Sequence, residues 1–489
     1  MSQSPSRELF DQRKPWLCGR RTLPLVRAED QVSGQNCDSC GRLITGLPTW
    51  ANAEAEAEAR AATKRRWRIT PQRLVILGVL ILMVAFIVWL NFPFVSDPIT
   101  LLFKKPTTVL TSQSLQGQWS SVGWDVQGTR YVGDVSRQPE GHLKWSRDLG
   151  NPTQSTPTVV DDVIYIGGFF KAMALGVEAG EIVWEIDTPG QMDHSFAIAG
   201  DFVYMGLSDH RLLALDRKTG ETRWEFRAEF PITSSPVVAD GMVYFGSSDR
   251  YVYSLDAATG KEIWKHKLKG ALHSSPTISG GYLIATDSGG NLNILSARTG
   301  QSRFRFRTAA SASDAPAVAG GLAYFPSGGR LFAVDTSVRS KRGEFQFKWV
   351  WSQFYVWQIP GVPAPSPQKG ERWRFAPEKH ASRGIVAAPA VAPEALYYGD
   401  TAGYFYARDV SSREELWRFK AEDGIVSSPI ILGDRIYFGA RDGYIYSLDR
   451  SNGEVVWHLF LDAAIEVSPV FAQGTLYVRT NDGRLHAID

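Results

Sequence analysis

The sequence predicts an all-β protein, an eight-bladed β-propeller of four-stranded blades that is closed by an N-terminal strand and preceded by one transmembrane helix. Two observations predict the propeller: aromatic anchors recur at intervals of 40 residues, and proline follows most of them at a distance of 12. The third observation is an apolar run without charges, Leu74 to Phe92, which is long enough for a membrane-spanning helix.

The repeat is read from its tryptophans. Trp224 and Trp264 are 40 residues apart, and Pro236 and Pro276 follow them at a distance of 12. An Asp ends an apolar run twenty residues past the proline in most units, as at Asp256. Eight units can be counted in this way, and their anchors are Trp145, Trp184, Trp224, Trp264, Phe304, Trp373, Trp417 and Trp457.

Each unit contains four short runs that are typical of β-strands. In one unit the runs are Ser234–Val238, Val243–Gly246, Tyr251–Leu255 and Glu262–Trp264, separated by turn residues. Four strands in about 40 residues, repeated eight times, predict a β-propeller. WD40 and kelch repeats fit the motifs and the period less well, and no run after residue 93 keeps a helical period of 3.6 residues.

The two ends of the repeat region predict how the ring closes. The eighth unit reaches Asp489 with three strands, while Leu143-Lys144-Trp145 is a fourth strand with no three strands before it. An unpaired strand edge favours aggregation. We therefore expect residues 142–147 to complete the last blade.

The distribution of basic and apolar residues along the sequence predicts five segments. We expect a cytoplasmic head over residues 1–63, a basic juxtamembrane segment over 64–73, a transmembrane helix over 74–92, a linker over 93–116 and the propeller over 117–489. The alternative for the apolar run is a buried core helix. Basic residues before a span hold that side in the cytoplasm, so the predicted location is the cytoplasmic (inner) membrane, single-pass, with the propeller outside.

All three cysteines lie in the head. Cys37-Asp38-Ser39-Cys40-Gly41 resembles a zinc knuckle, and Cys18 resembles the end of a second one. Pro15 occupies the place of its first cysteine, and no histidine precedes His142. A degenerate zinc site and unpaired thiols in a flexible head are the two alternatives.

Two motifs carry a resemblance to a known family. Leu215-Asp216 with Thr219-Gly220 and Trp224, together with Ser-Ser-Pro at 234–236, resembles the pyrroloquinoline-quinone (PQQ) type of propeller repeat. The segment Gln118–Tyr131 is similar to the stretch that leads into such propellers. The resemblance covers residues ~117–489 and implies that the tryptophans dock between neighbouring blades.

The family has two branches. Quinoprotein dehydrogenases hold PQQ over Ca²⁺, against a disulfide between adjacent cysteines, with an Asp as base. No cysteine follows residue 40 here, and no Ca²⁺ ligand set can be matched. The other branch, similar to the BamB-type lipoprotein, is an eight-bladed scaffold in outer-membrane protein assembly. We therefore expect no cofactor and no catalytic residue in the propeller; zinc in the head is the alternative left open.

The residues three positions before each proline anchor are expected to surround the axial channel, with one further residue beside the ring in two blades. Two carboxylates, two histidines and an additional Asp around one mouth could bind a cation or a polar ligand. The alternative is a hydrated mouth without a task. The ring comprises Gln154, Asp193, Thr233, His273, Ser313, Val386, Val426 and Glu466, with His194 and Asp314 beside it.

A long insertion interrupts the fifth unit at about 337–370. Its aromatic residues alternate with period two from Phe345 to Trp351, which predicts a protruding hairpin or an added strand. Exposed aromatic side chains would suit contact with a partner or a membrane surface, and burial against the blade is the alternative. The candidate partner-binding residues are Trp349, Trp351, Phe354, Tyr355 and Trp357.

Composition excludes several functional classes. The 489 residues are 44% hydrophobic and 21% charged, which excludes a largely disordered or polytopic chain. A formal net charge of +2 gives no argument for nucleic-acid binding. The predicted function is an extracytoplasmic scaffold or assembly factor that binds a protein partner without catalysis; the alternatives are a PQQ-dependent quinoprotein dehydrogenase and an extracytoplasmic ligand sensor.

Overall fold

The computed structural model describes residues 17–18, 21–22, 71–91, 103–112, 118–150, 153–308, 310–312, 314–340, 344–364, 368–377 and 384–489. The chain divides into two compact units, Met1–Trp89 and Leu90–Asp489.

The first unit contains a two-stranded pair, β1 (Leu17–Cys18) and β2 (Arg21–Thr22), and most of the helix α1 (Pro71–Asn91). Helix α1 coincides with the apolar run, and the large side chains from Leu74 to Val84 are exposed. Among the helices of the described residues, none combines the length and hydropathy that a membrane span requires. Cys37 and Cys40 lie outside the described residues, so the zinc site stays a prediction.

The second unit contains eight sheets arranged as consecutive blades, in agreement with the prediction. Blades 1 to 4 are built in chain order from their innermost to their outermost strand. Blade 1 is β5 (Thr158–Val160), β6 (Val163–Gly168), β7 (Lys171–Gly176) and β8 (Ile182–Asp187); blade 2 is β9 (Ala197–Ala199), β10 (Phe202–Gly206), β11 (Arg211–Asp216) and β12 (Thr222–Arg227); blade 3 is β13 (Val237–Ala239), β14 (Met242–Gly246), β15 (Tyr251–Asp256) and β16 (Glu262–Lys267); blade 4 is β17 (Thr277–Ser279), β18 (Tyr282–Thr286), β19 (Asn291–Ser296) and β20 (Ser302–Arg307).

Blades 5 to 8 continue the ring, and helix α2 (Glu344–Val356) interrupts blade 5 before its last strand. Blade 5 is β21 (Ala317–Ala319), β22 (Leu322–Ser327), β23 (Arg330–Asp335) and β24 (Glu371–Phe375); blade 6 is β25 (Ala390–Val391), β26 (Ala395–Gly399), β27 (Tyr404–Asp409) and β28 (Glu415–Lys420); blade 7 is β29 (Ile430–Leu432), β30 (Arg435–Gly439), β31 (Tyr444–Asp449) and β32 (Val455–Phe460), joined by β3 (Tyr131–Val132); blade 8 is β33 (Val470–Ala472), β34 (Thr475–Arg479), β35 (Arg484–Ile488) and β4 (Leu143–Asp148).

The predicted closure of the ring is confirmed. Strand β4 pairs antiparallel with β35, and Trp145 lies opposite Ala487. The backbone of Asp489 exchanges hydrogen bonds with that of His142, at 2.9 and 3.1 Å. The last blade therefore has four strands, the outermost of which comes from the segment before blade 1.

The tryptophan anchors join neighbouring blades. The indole Nε1 of Trp224 donates to the Ala257 carbonyl of blade 3 at 3.0 Å, and Trp264 makes the equivalent bond to Ala297 of blade 4 at 2.9 Å. The glycine of the Thr-Gly motif lies against the same docked tryptophan. Gly260 has φ +69°, and a Cβ built there would lie 2.6 Å from Cε3 of Trp224, so both the backbone angle and the stacked indole require glycine.

A segment that the repeat does not contain runs along the inner edges of the innermost strands. We call residues 107–112 and 118–132 the strap. Seven of the eight innermost strands make backbone hydrogen bonds to it, so their inner edges are partly paired. The strap residues in these bonds are Leu110, Ser112, Trp119, Ser120, Val126, Gln127, Thr129, Arg130 and Val132. We call the side that carries the turns between first and second strands the strap face, and the opposite side the mouth face.

Candidate functional site

The mouth face of the axial channel is organised by a belt of hydroxyl groups. The residue just before the proline position, which is occupied by Phe196 in blade 2, is serine or threonine in six blades. The backbone N–H of Ser195 donates to Oγ of Ser235 in the next blade at 3.0 Å, and the N–H of Ser235 donates to Oγ of Ser275 at 3.2 Å. The first serine of the motif acts within its own blade: Oγ of Ser234 accepts from the N–H of Gly246 at 2.7 Å. The Ser-Ser-Pro motif therefore links blades around the axis.

The Asp314 side chain replaces the missing hydroxyl groups in the two blades where the belt is interrupted. Blades 5 and 6 have Ala315 and Ala388 at the belt position, so neither offers a hydroxyl. The Asp314 carboxylate accepts from the N–H of Ala388 at 2.8 Å and from the Ser428 hydroxyl at 2.9 Å, and so connects blades 5, 6 and 7. Arg130 of the strap is buried beneath it. Burial lowers the pKa of Arg130, and the nearby carboxylates of Asp314 and Asp125 oppose this shift.

Three of the predicted mouth residues lie close enough to interact electrostatically: Asp193, His194 and His273. Burial lowers the pKa of His194 to about 4, Asp193 opposes the shift and His273 adds to it. His194 is therefore neutral at pH 7. Asp193 accepts from the Gln191 side chain at 2.9 Å.

The remaining predicted mouth residues have other roles or are undescribed. Glu466 forms an ion pair with Arg441 at 2.7 Å, and Asp314 belongs to the belt. Ser313 lies outside the described residues. Within the described part of the chain, no three His, Cys, Asp or Glu side chains converge as metal ligands.

Sequence reasoning missed a buried arginine beside the mouth. Arg479 is fully buried, and its Nη1 donates to Oγ1 of Thr153 and to the Gly167 carbonyl, both at 2.7 Å. Its Nε and Nη2 have no hydrogen-bond partner within the described residues. Burial lowers the pKa of Arg479 to about 10, and the negative charge of Asp193 opposes this shift.

The signal for this arginine was present in the repeat. Arg479 stands ten residues after Pro469, where other units have Gly246 or Gly439. In blade 7, a Cβ at Gly439 would lie 2.1 Å from the side chain of Ile465. At the junction of blades 8 and 1, Arg479 and Thr153 replace this glycine and apolar residue.

The aromatic insertion forms a helix, so the predicted hairpin or added strand is wrong. Glu344 in the first turn of α2 pairs with Lys348 one turn later at 3.7 Å and with Lys369 at 2.7 Å, and these contacts favour helix. Phe347 and Trp351 stack one turn apart, at 5.9 Å between ring centres.

The five candidate partner-binding residues differ in exposure, and none of them is fully buried. Trp349, Phe354, Tyr355 and Trp357 are exposed. Trp351 is partly buried, and its Nε1 donates to the Pro363 carbonyl at 3.1 Å.

These features define a class: an eight-bladed propeller whose blades are joined by docked tryptophans and an axial hydroxyl belt. The chain belongs to the family described as outer membrane protein assembly factor BamB, whose model matches residues 130–234, 227–343 and 362–489. The predicted resemblance to the PQQ-like propellers and to BamB is confirmed.

Solved structures share the fold at low sequence identity. A quinohemoprotein alcohol dehydrogenase from Comamonas testosteroni is 15% identical, with a TM-score of 0.60 over 77% of this chain and 81% of that chain. A quinohemoprotein alcohol dehydrogenase from Pseudomonas putida is 16% identical, with a TM-score of 0.57 over 76% and 80%. A europium-containing methanol dehydrogenase is 14% identical, with a TM-score of 0.56 over 74% and 89%.

A curated relative matches a short stretch. The 1-butanol dehydrogenase (cytochrome c) of Thauera butanivorans is 31% identical over 107 residues, which are 20% of this chain and 16% of that protein.

These comparisons correct one prediction. The expectation of no cofactor is wrong, because the similar proteins are named as quinohemoprotein, europium-containing and cytochrome c dehydrogenases.

Proposed function

We propose that the chain is a membrane-anchored propeller that binds a protein partner on the outer side of the cytoplasmic membrane. The observation that carries this proposal is an apolar rim on four consecutive blades, 6, 7, 8 and 1. Their outermost strands expose large apolar side chains to solvent. The residues of the apolar rim are Leu143, Ile182, Val183, Leu416, Val455, Val456 and Phe460.

Strand β32 is the centre of the apolar rim. Its sequence, Val-Val-Trp-His-Leu-Phe, contains no Asp, Glu, Lys or Arg, whereas the matched strand β16 contains Glu262, Lys265 and Lys267. Charges on an outermost strand discourage pairing with other chains. An uncharged edge with exposed Val456 and Phe460 is suited to an extended segment of a partner, which would add a strand to blade 7.

Family membership supports the same proposal, because the family model is described as an outer membrane protein assembly factor. A propeller scaffold that binds a strand needs a rigid edge. The docked Trp417 and Trp457 provide it, since each donates to a backbone carbonyl across a blade junction at 3.0 Å.

Photocrosslinking in native membranes tests the rim. A photoreactive phenylalanine at position 460 of the full chain should capture a defined protein, and the same probe at the matched position 267 of β16 should not. With the probe moved to the exposed position 456 of the same strand, Phe460→Lys should abolish capture while changing the free energy of unfolding by about 0.5 kcal/mol or less, because the Phe460 side chain is exposed. Equal capture at positions 460 and 267 would contradict the proposal.

The proposed membrane location is supported by the sequence of α1 and the basic residues before it. Leu80→Arg combined with Leu82→Arg should release the chain from membranes during extraction at alkaline pH, whereas Leu80→Ile with Leu82→Ile should not. Release of the unsubstituted chain under the same conditions would overturn the anchor.

A second candidate function is a quinoprotein dehydrogenase, which the comparisons favour. The buried guanidinium of Arg479, with two unpartnered nitrogens, would suit an anionic group of such a cofactor. A bound quinone would supply the two-electron acceptor for oxidation of an alcohol.

Reconstitution separates the two candidates. PQQ with Ca²⁺, or with a lanthanide, is added to the purified full chain, and quinone absorbance and alcohol oxidation are measured. Stoichiometric quinone with alcohol oxidation would establish the enzyme. Absence of bound quinone at saturating PQQ would exclude this candidate and leave partner binding.

A further inference from the structure

The strap face combines the entry of the chain with the aromatic insertion. Oγ1 of Thr107 in the strap donates to Asp256 at 3.0 Å, and Asp256 ends the third strand of blade 3. Helix α2 follows Asp335, which ends the third strand of blade 5. Third strands of all blades run in the same direction along the axis, so the strap at Thr107 lies on the strap face and the insertion leaves the ring on the same face.

This face also carries much of the exposed apolar surface of the described residues. Trp349 and Trp357 are 59% and 67% exposed, and Phe103 and Val109 on the entering segment are 79% and 89% exposed. We call the aromatic face the set Phe103, Val109, Phe347, Trp349, Phe354, Tyr355, Val356 and Trp357. Within the described residues, the exposed large apolar side chains on loops of the mouth face are Phe169, Phe170 and Phe230.

The chemistry of the aromatic face matches a lipid headgroup region. Trp and Tyr side chains, with an apolar ring and a polar N–H or O–H group, are enriched at membrane interfaces. Apolar helix residues at a membrane surface are buried to the depth of the headgroup and acyl boundary. Lys104 and Lys105, exposed beside Phe103, add positive charge that anionic lipids attract.

The length of the connecting chain restricts what can cover this face. Fifteen residues separate Asn91, the end of α1, from Thr107 on the strap face. Fully extended, they span about 50 Å. With α1 as the proposed membrane anchor, this length places the bilayer within reach of the strap face.

We propose that the aromatic face docks on the surface of an anionic phospholipid bilayer, with Trp349, Tyr355 and Trp357 in the headgroup region. This inference rests on the proposed membrane anchor. It orients the axial mouth away from the bilayer.

A fluorescent label tests the docking in the full chain. Cys18, Cys37 and Cys40 are replaced by Ser, and an environment-sensitive dye is attached to Tyr355→Cys or, as the mouth-face control, to Glu229→Cys. The protein is reconstituted in vesicles of phosphatidylcholine and phosphatidylserine that contain a doxyl-labelled lipid. The label at 355 should be quenched several-fold more strongly than the label at 229. Equal quenching would overturn the docking.

Two further measurements separate docking from anchoring and from a protein occupant. In the first measurement, the chain with Leu80→Arg and Leu82→Arg is mixed with the same vesicles, and the bound fraction is measured by flotation. Adding Trp349→Ser and Trp357→Ser to this variant should lower its affinity for the vesicles about tenfold, at an unchanged melting temperature. Binding that is unaffected by the two serine substitutions would refute docking even if the anchor holds. A label at 355 that is shielded from aqueous iodide but not quenched by doxyl lipid would indicate a protein or a second copy and would also refute it.

Discussion

At the scale of single residues, departures from the repeat identify the positions under special constraint. Arg479 takes the place of a glycine and is a buried cation with two unpartnered nitrogens. Its desolvation is not fully offset by the hydrogen bonds to Thr153 and Gly167, because these involve Nη1 alone. Burying Arg479 costs free energy, and other blades fold with a glycine at the same position. The arginine is therefore more consistent with a functional than with a structural requirement.

Restoring the repeat at this position should stabilise the protein. Arg479→Gly with Thr153→Ile recreates the glycine and apolar pair of Gly439 and Ile465, and should raise the free energy of unfolding by about 1–3 kcal/mol in urea titration. Arg479→Lys, which keeps the charge, is the control and should not stabilise. A loss of stability in the double variant would show that the arginine is needed for packing.

His194 should make the propeller sensitive to mild acid. Its pKa is about 4 in the folded protein and 6.5 in the unfolded chain, so between these values the unfolded state binds a proton that the folded state does not. Stability is therefore lost as the pH falls from 6.5 to 4, by up to about 3 kcal/mol. His194→Gln should reduce the slope of unfolding free energy against pH in this window.

Two carboxyl groups with strongly lowered pKa values interfere little within most of this window. Asp216 and Asp409, whose pKa values hydrogen bonds lower to about 2, lose their stabilising effect mainly below pH 4. Titration from pH 7 to 4.5 therefore isolates His194 from these two groups. An unchanged slope in His194→Gln would contradict the assignment.

At the scale of elements, the turn between third and fourth strands is the best test of the blade junction. Gly453 has φ +75°, and a Cβ there would lie 2.4 Å from Cε3 of Trp417 in the preceding blade. Gly280, in a turn between first and second strands, has φ +55° and no atom within 4 Å of its Cβ position. The two glycines share a left-handed backbone and differ in the stacked indole.

Alanine at these two glycines should therefore have different effects. Gly280→Ala should cost about 1 kcal/mol of unfolding free energy, from the backbone alone. Gly453→Ala should cost about 2–4 kcal/mol, because the indole of Trp417 must also move. Denaturant titration of both variants measures the difference, and equal losses would show that the indole adapts freely.

The predictability of elements from sequence followed the strength of their local pattern. The strands were predictable because alternating apolar residues and turn glycines recur in every blade. Helix α2 was not, since the alternation from Phe345 to Trp351 imitates a strand while the Glu344–Lys348 pair stabilises a helix. The strap was not predictable either, because its hydrogen-bond partners are far away in the chain: Val126 accepts from Ile278 and Arg130 from Ile431.

The candidate site shows the same dependence on local pattern. Spacing from the prolines predicts Asp193, His194 and His273 at one mouth, since each blade repeats the same geometry, and Asp193 and His273 both act on the pKa of His194. It could not show that Glu466 is paired with Arg441 or that Asp314 completes the hydroxyl belt, because both contacts connect different strands or blades.

At the scale of the whole molecule, closure of the ring concentrates stability at one junction. Trp457 of blade 7 donates to the Pro139 carbonyl at 3.0 Å, and a Cβ at Gly141 would lie 2.8 Å from the same indole. The residues before β4 thus replace the Thr-Gly turn that blade 8 lacks. Strand β4 then joins the last blade to the start of the ring, so its loss would affect two blades and not one.

A proline at matched positions of two outermost strands should reveal this difference. Ser146 of β4 lies opposite His486, and Lys265 of β16 lies opposite Tyr253, each one residue after its docked tryptophan. Both substitutions disturb one outermost strand in the same way. Ser146→Pro should also open the ring, because the pairing along the edge of β35 and the Trp145 junction are lost together. We therefore expect Ser146→Pro to lower the free energy of unfolding in urea titration by at least about 2 kcal/mol more than Lys265→Pro does. Limited proteolysis should then cleave the Ser146→Pro variant between blades 8 and 1. Equal stability of the two variants would mean that packing between the blades, and not strand β4, holds the ring closed.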